Sequence, residues 1–262
     1  MSDSHQVAPS ATPKIGAVAF KDITAALSAG IKDFRKAPSF GLFFSAFYVV
    51  GGWLIYLELA VRGSEIWVIP IALGFPLLAP FAAVGLYEVS RRLEAGEALK
   101  WSKILGVVVR QKDRQFPSIA MVIIMVFMFW VFVAHLVFAL FMGLQPMTNI
   151  MTNWQDTLFT SEGLTMLAVG SGVGAVLSFV LFSLTVVSLP MLLDRELDFI
   201  TAMICSFQLV MANPVPMLAW GLLIAVLTLA GMALYFLGLL VVLPVLGHAT
   251  WHLYRGAMCT EE

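Results

Sequence analysis

Apolar residues run along this chain in long blocks, and nearly every lysine and arginine falls in the segments between them. A helix needs about 20 apolar residues to cross the ~30 Å hydrocarbon core of a bilayer. Residues 40–61, 67–87, 119–144 and 167–189 each satisfy that length and predict membrane-crossing helices. The last apolar stretch, Met217 to Trp251, holds no charged residue over 35 positions. As one helix it would be about 52 Å long, which tilt alone does not accommodate. It reads as two spans, 217–235 and 237–254, joined by a tight turn near Tyr235 to Gly238. The pattern predicts an all-α, polytopic membrane helical bundle of six spans over residues 21–256, with polar tails at 1–20 and 257–262.

Amphipathic segments precede alternate spans. Ile23, Leu27, Ile31 and Phe34 recur at helical spacing before Pro38; Trp101, Ile104, Leu105 and Val108 before Pro117; Ile200, Met203, Phe207 and Val210 before Pro214. Such stripes predict helices lying in the headgroup plane. A proline at the first position of the following helix ends the interfacial segment without losing a needed hydrogen bond. The second span of each pair carries a closing proline, Pro80, Pro190 or Pro244, expected to kink or unwind it. Two spans per unit give three units in one orientation, a threefold parallel repeat. The plainer alternative is that interfacial helices and prolines are common in membrane proteins.

Composition strengthens the membrane reading: 60% of residues are hydrophobic and 12% charged, against about a quarter charged in soluble domains. Of 15 lysines and arginines, Arg62 alone falls on one side of the predicted membrane. The other fourteen lie on the opposite side, so the positive-inside bias puts both termini in the cytoplasm. The first 20 residues contain no apolar run and are expected to be a disordered tail rather than a signal peptide. Net charge is −1, which argues against nucleic acid as a partner. Cys205 and Cys259 are far apart and expected in the reduced state, without a disulfide.

Ionisable residues inside a bilayer are the usual marks of function, and no Asp, Glu, Lys or Arg falls in mid-span. That argues against an ion-coupled transporter. Glu58 and Arg62, four apart, read as an interfacial salt bridge. His248 and His252 share one helical face in the sixth span, and His135 lies in the third. The metal-ligand alternative rests on His248 and His252 alone, because opposite span directions separate His135 from them in depth; no metal or other cofactor is expected. With Trp251, Tyr254 and Arg255 these histidines also read as an interfacial belt. The segment following Pro80 carries Tyr87 and Arg91 at comparable offsets. A functional cluster, if these two segments converge, would comprise His248, Trp251, His252, Tyr254, Arg255, Tyr87 and Arg91. Structural anchoring is the competing reading. Gly170, Gly172 and Gly174 offer close helix packing, and the segment from Gly143 to Gly163 is the longest outer connection, carrying Trp154, Asp156, Phe159 and Glu162. No nucleophile–base pair or paired carboxylates are visible.

Four segments carry a resemblance: Ala26 to Phe34, Pro76 to Pro80, Asp194 to Phe199, and Gly247 to Arg255. Together they resemble an uncharacterised bacterial integral-membrane family, domain of unknown function 2189, over roughly residues 20–256. The resemblance implies a multi-pass protein of the bacterial cytoplasmic (inner) membrane. Some relatives are labelled cytochrome c oxidase subunit I, but that subunit resembles a twelve-span, six-histidine protein, which this chain does not match.

The expected function is structural or accessory, with membrane lipids and other membrane proteins such as respiratory complexes as partners. A small-molecule transporter or channel is the alternative, and a haem-binding respiratory component the third.

Overall fold

The computed structural model describes residues 13–58, 68–143 and 154–259. In chain order they form β1 (Lys14–Ile15), α1 (Phe20–Lys36), α2 (Pro38–Tyr56), α3 (Val68–Glu94) and α4 (Trp101–Arg110). There follow α5 (Phe116–Met142), α6 (Trp154–Phe159), α7 (Ser161–Thr185) and α8 (Ser188–Asp194), then α9 (Phe199–Ala212), α10 (Pro214–Ala233), α11 (Leu239–Ala257) and β2 (Met258–Cys259). The protein is an all-α membrane bundle, with one two-residue β pair among the described residues. Pro38–Tyr56, Phe116–Met142, Ser161–Asp194 and Pro214–Ala233 are long and apolar enough to cross a membrane. The expected second and sixth spans fall on α3 and α11.

The chain forms two units, residues 1–121 with 183–262, and residues 122–182. In the first, α11 is central and packs against α1, α2, α3, α8 and α10. Two glycines set its approach distances. A Cβ on Gly30 of α1 would lie 2.6 Å from the carbonyl oxygen of Val245 and 2.7 Å from the amide nitrogen of Ala249, so α1 meets α11 backbone to backbone. A Cβ on Gly85 of α3 would overlap the ring of Phe44.

The buried face of α1 is Ile23, Ala26, Gly30 and Asp33, while Leu27, Ile31 and Phe34 are only half-buried. On α9 the buried residues are Ala202, Cys205, Ser206, Leu209 and Val210, and Ile200 and Phe207 are exposed. Of the two apolar stripes, only Ile23 and Val210 are buried against the bundle. Small and polar side chains face inward because close helix approach needs little bulk, and large apolar side chains cost nothing against lipid. In α4 the stripe does meet the bundle: Ile104 is fully buried, and Trp101 lies on Phe40 with ring centroids 4.0 Å apart.

The closing prolines behave differently from one another. The helices α3 and α11 continue through Pro80 and Pro244, whereas the chain turns at Val186–Val187 just before Pro190. Pro244 cannot donate to Leu240, and the Ser45 hydroxyl, which donates to Gly41 at 2.8 Å, reaches that freed carbonyl at 3.5 Å. Between α10 and α11 the chain turns over Leu234–Gly238, with Tyr235 and Phe236 in the left-handed region at φ 52° and 64°. Trp53 Nε1 donates to the Tyr235 carbonyl at 2.7 Å, and the Phe236 ring fills the space over Gly52.

The described part of the N-terminal segment is held in place. Lys14–Ile15 pair antiparallel with Met258–Cys259, and the amide of Val18 donates to Asn213 Oδ1 at 2.8 Å. Backbone pairing and one buried amide hold a segment whose composition has no apolar run. Residues 1–12, Arg62 and the first part of the outer connection, 144–153, lie outside the described residues.

In the second unit Val137, Phe138 and Met166 form a small core. Gly174 faces Trp130, whose ring would lie 3.0 Å from a Cβ there. Around that core Met125, Phe132, Leu140, Leu164 and Val176 are exposed.

Candidate functional site

Polar side chains gather at one end of the first unit, where α1, α3, α8 and α11 meet. Their positions follow from helical register. On α11, residues 248, 251, 252 and 255 recur at three- and four-residue spacing, and on α3 residues 90 and 94 do the same, so each set lines one face. Ser90 Oγ lies 2.8 Å from Nδ1 of His248. One turn on, Trp251 Nε1 donates to Glu94 at 3.0 Å and Arg255 to the same carboxylate at 3.3 Å. The two segments singled out in the sequence are thus in direct contact.

The other contacts tie this face to α1 and α8. His252 Nε2 lies 2.7 Å from Asp33 Oδ2. Tyr254 donates to Asp194 at 2.8 Å and receives Arg195 Nε at 3.3 Å, while Arg255 also reaches Asp194 at 3.4 Å. Within α3, Glu88 is fully buried and accepts from Arg91 at 2.8 and 3.0 Å and from Arg92 at 2.6 Å. Arg92 also reaches Glu97 at 2.8 Å. A buried carboxylate of this kind is tolerated only when its charge is matched and its lone pairs are filled. Glu88 in turn holds the Arg91 guanidinium above its ordinary range.

Asp33 shows the electrostatics most clearly. Burial alone would raise its carboxyl, but hydrogen bonding to His252 and Ser90 and the nearby imidazoles outweigh that and hold it below the ordinary value. An ionised carboxylate only accepts, so Nε2 of His252 carries the proton in this bond.

Of the residues expected to cluster, His248, Trp251, His252, Tyr254 and Arg255 all take part. Arg91 turns back to Glu88 on its own helix, and Tyr87 is buried in α3 outside the hydrogen-bonded set. Asp33, Glu88, Ser90, Arg92, Glu94 and Asp194 complete the cluster and were not singled out. Ser90 and Glu94 repeat the four-residue spacing of His248 and His252, which was the available signal. Nothing in the sequence points Asp33 inward, since its neighbours Lys32 and Lys36 are solvated.

A serine beside a histidine resembles a nucleophile–base pair, which the sequence alone did not reveal. Both residues are fully buried, with Gly247 packed on Leu86 alongside, so a substrate has no approach to the hydroxyl in this packing. The two histidines on α11 each have one ring nitrogen occupied, by Ser90 and by Asp33. Among the described residues no group of three or more His, Cys, Asp or Glu side chains is placed to hold a metal ion. His135, on α5, is exposed and bonds through Nδ1 to the carbonyl of Val131 on its own helix at 2.7 Å.

No curated protein and no solved structure matches the chain. A family model does: residues 68–194, which carry Glu88, Ser90, Glu94 and Asp194 of the cluster, match the family described as predicted integral membrane protein, domain of unknown function 2189. That description names no oxidase. Over this segment, a little under half of its length, the chain is similar to the integral membrane protein family known as domain of unknown function 2189.

Proposed function

We propose that the protein is a six-span accessory component of the bacterial cytoplasmic membrane, with both termini in the cytoplasm, that holds other membrane proteins. The observation that carries this reading is the contrast between its packed interior and its apolar exterior. Trp220, Trp251, Tyr254 and Met217 fill the first unit with almost no exposure, and the polar groups at its end bond mostly to one another, Nε2 of His248 being a buried exception. On the second unit Phe132 and Leu140 are 65% and 72% exposed, and His135 sits among them as a polar group facing outward. A polar side chain at membrane depth is costly against lipid and favours a protein neighbour.

The test is photo-crosslinking in native membranes, with the crosslinking residue placed at Phe132 or Leu140 and, as a control, at buried Val84. The accessory reading expects one membrane protein joined in stoichiometric yield from the two exposed positions and none from Val84. Lipid adducts alone at all three positions would overturn it.

A transporter remains the second reading, favoured by the polar set Ser90, His248, Asp33 and His252, which reaches inward from the bundle end. Flux of a small molecule in vesicles holding the purified protein, lost in a Ser90→Ala variant, would establish it.

A further inference from the structure

The docking of α1 leaves a second face of that helix outward. Thr24, Ser28, Lys32, Arg35 and Lys36 are exposed there, with Leu27 and Ile31 half-buried beside them, around a groove of ≈ 600 Å³. The charge on this face is one-sided. Asp33, the acid of the same helical turn, is turned inward to His252, and among the described residues no carboxylate pairs with Lys32, Arg35 or Lys36. Three cations thus remain free at the C-terminal end of α1, where the helix dipole favours positive charge. Their depth is set by the chain itself, because Pro38 opens α2 two residues after Lys36.

We propose that this face binds an anionic phospholipid of the cytoplasmic leaflet, its phosphate held by Lys32, Arg35 and Lys36 and an acyl chain lying against Leu27 and Ile31. The inference rests on the cytoplasmic placement of α1 in the reading above. A guanidinium matches phosphate oxygens with paired donors, and the two lysines add point charges on either side. The apolar pair lies one to two turns toward the helix N-terminus. The site therefore offers a charged end and an apolar trough, which matches an amphiphile better than a free anion.

The full-length protein in neutral detergent is titrated with phosphatidylglycerol or phosphatidylcholine, and lipid retention is read by native mass spectrometry. The expected result is selective retention of phosphatidylglycerol, weakened on the order of 100-fold in Lys32→Gln/Arg35→Gln/Lys36→Gln, since each basic residue near an anionic surface contributes about fivefold. A Lys100→Gln/Lys103→Gln variant should bind like the parent. Equal retention of both lipids by the unaltered protein overturns the proposal whether or not the triple variant folds. Competition by inorganic phosphate at concentrations matching the lipid would also overturn it, in favour of a plain anion site. Thiol labelling of Lys36→Cys in intact cells separates this from the topology: labelling by an impermeant reagent means that the placement of the termini has failed, and protection with no lipid selectivity means that only the lipid site has.

Discussion

The Asp33 carboxylate and the His252 imidazole, 219 residues apart in sequence, meet at 2.7 Å on the interface between α1 and α11. The bond sits one turn beyond the backbone contact of Gly30 with Val245 and Ala249. Shape and charge therefore act on the same seam: the glycine lets the helices approach, and the carboxylate is then buried where a donor awaits it.

Acid should open that seam. Because the folded-state carboxyl of Asp33 lies below its ordinary value, its contribution is present above the ordinary value, 3.8, and is lost as pH falls through the folded one. Amide hydrogen exchange in α1 is expected to accelerate below that range in the parent protein. In Asp33→Asn the exchange should be faster at neutral pH and should lose its acid dependence; an unchanged acid response in that variant would assign it to another group.

Gly30 and Gly106 should respond to alanine in opposite directions. The new methyl at Gly30 meets main-chain atoms of α11 that cannot move aside, at a cost of about 1–3 kcal/mol. Gly106, inside α4, has nothing within 4 Å of the added carbon, so alanine there gains up to about 1 kcal/mol of helix propensity. Thermal midpoints in one detergent measure both, and a midpoint for Gly30→Ala equal to the parent's would contradict the close approach.

Two arginines of the polar cluster should differ in weight. The Arg92 side chain is 8% exposed against a Glu88 side chain at 1%, so Arg92→Gln removes the more buried of the two cations on Glu88, leaving Arg91, and is expected to cost about 2 kcal/mol. Arg255 is 43% exposed and its partner Glu94 39%, which limits Arg255→Gln to less than about 1 kcal/mol. Denaturation of the two variants side by side checks the order.

The turn at Tyr235–Phe236 predicts a local effect of Trp53. Two consecutive non-glycine residues at positive φ are held there, and the indole hydrogen bond to the Tyr235 carbonyl helps to hold them. Trp53→Phe keeps the ring and removes the donor, with an expected loss of about 1 kcal/mol and faster exchange confined to residues 234–240. Exchange unchanged across that turn would show that the packing of Phe236 on Gly52 suffices.

Several features of this protein were already legible along the chain. Long apolar blocks with charge only at their ends leave membrane-crossing helices as the solution in lipid, because each backbone amide must bond within its own segment. Pro38 and Pro214 mark the first residues of α2 and α10, where a residue without an amide hydrogen costs no helical hydrogen bond. The excess length of residues 217–251 demanded a turn. What the tertiary structure alone decided is which face of each helix turns inward and which polar groups share a partner. Most stripe residues of α1 and α9 stay at least partly exposed, because burial in a membrane protein follows packing and hydrogen bonding, with little drive to hide apolar surface from lipid. The inward aim of Asp33, the meeting of Ser90 with His248 across 158 residues and that of Glu94 with Trp251 across 157 depend on helix approach distances, set where Gly30 meets the backbone of α11 and Gly247 meets Leu86. No local pattern encodes those distances, so these partners emerge only once the helices are assembled.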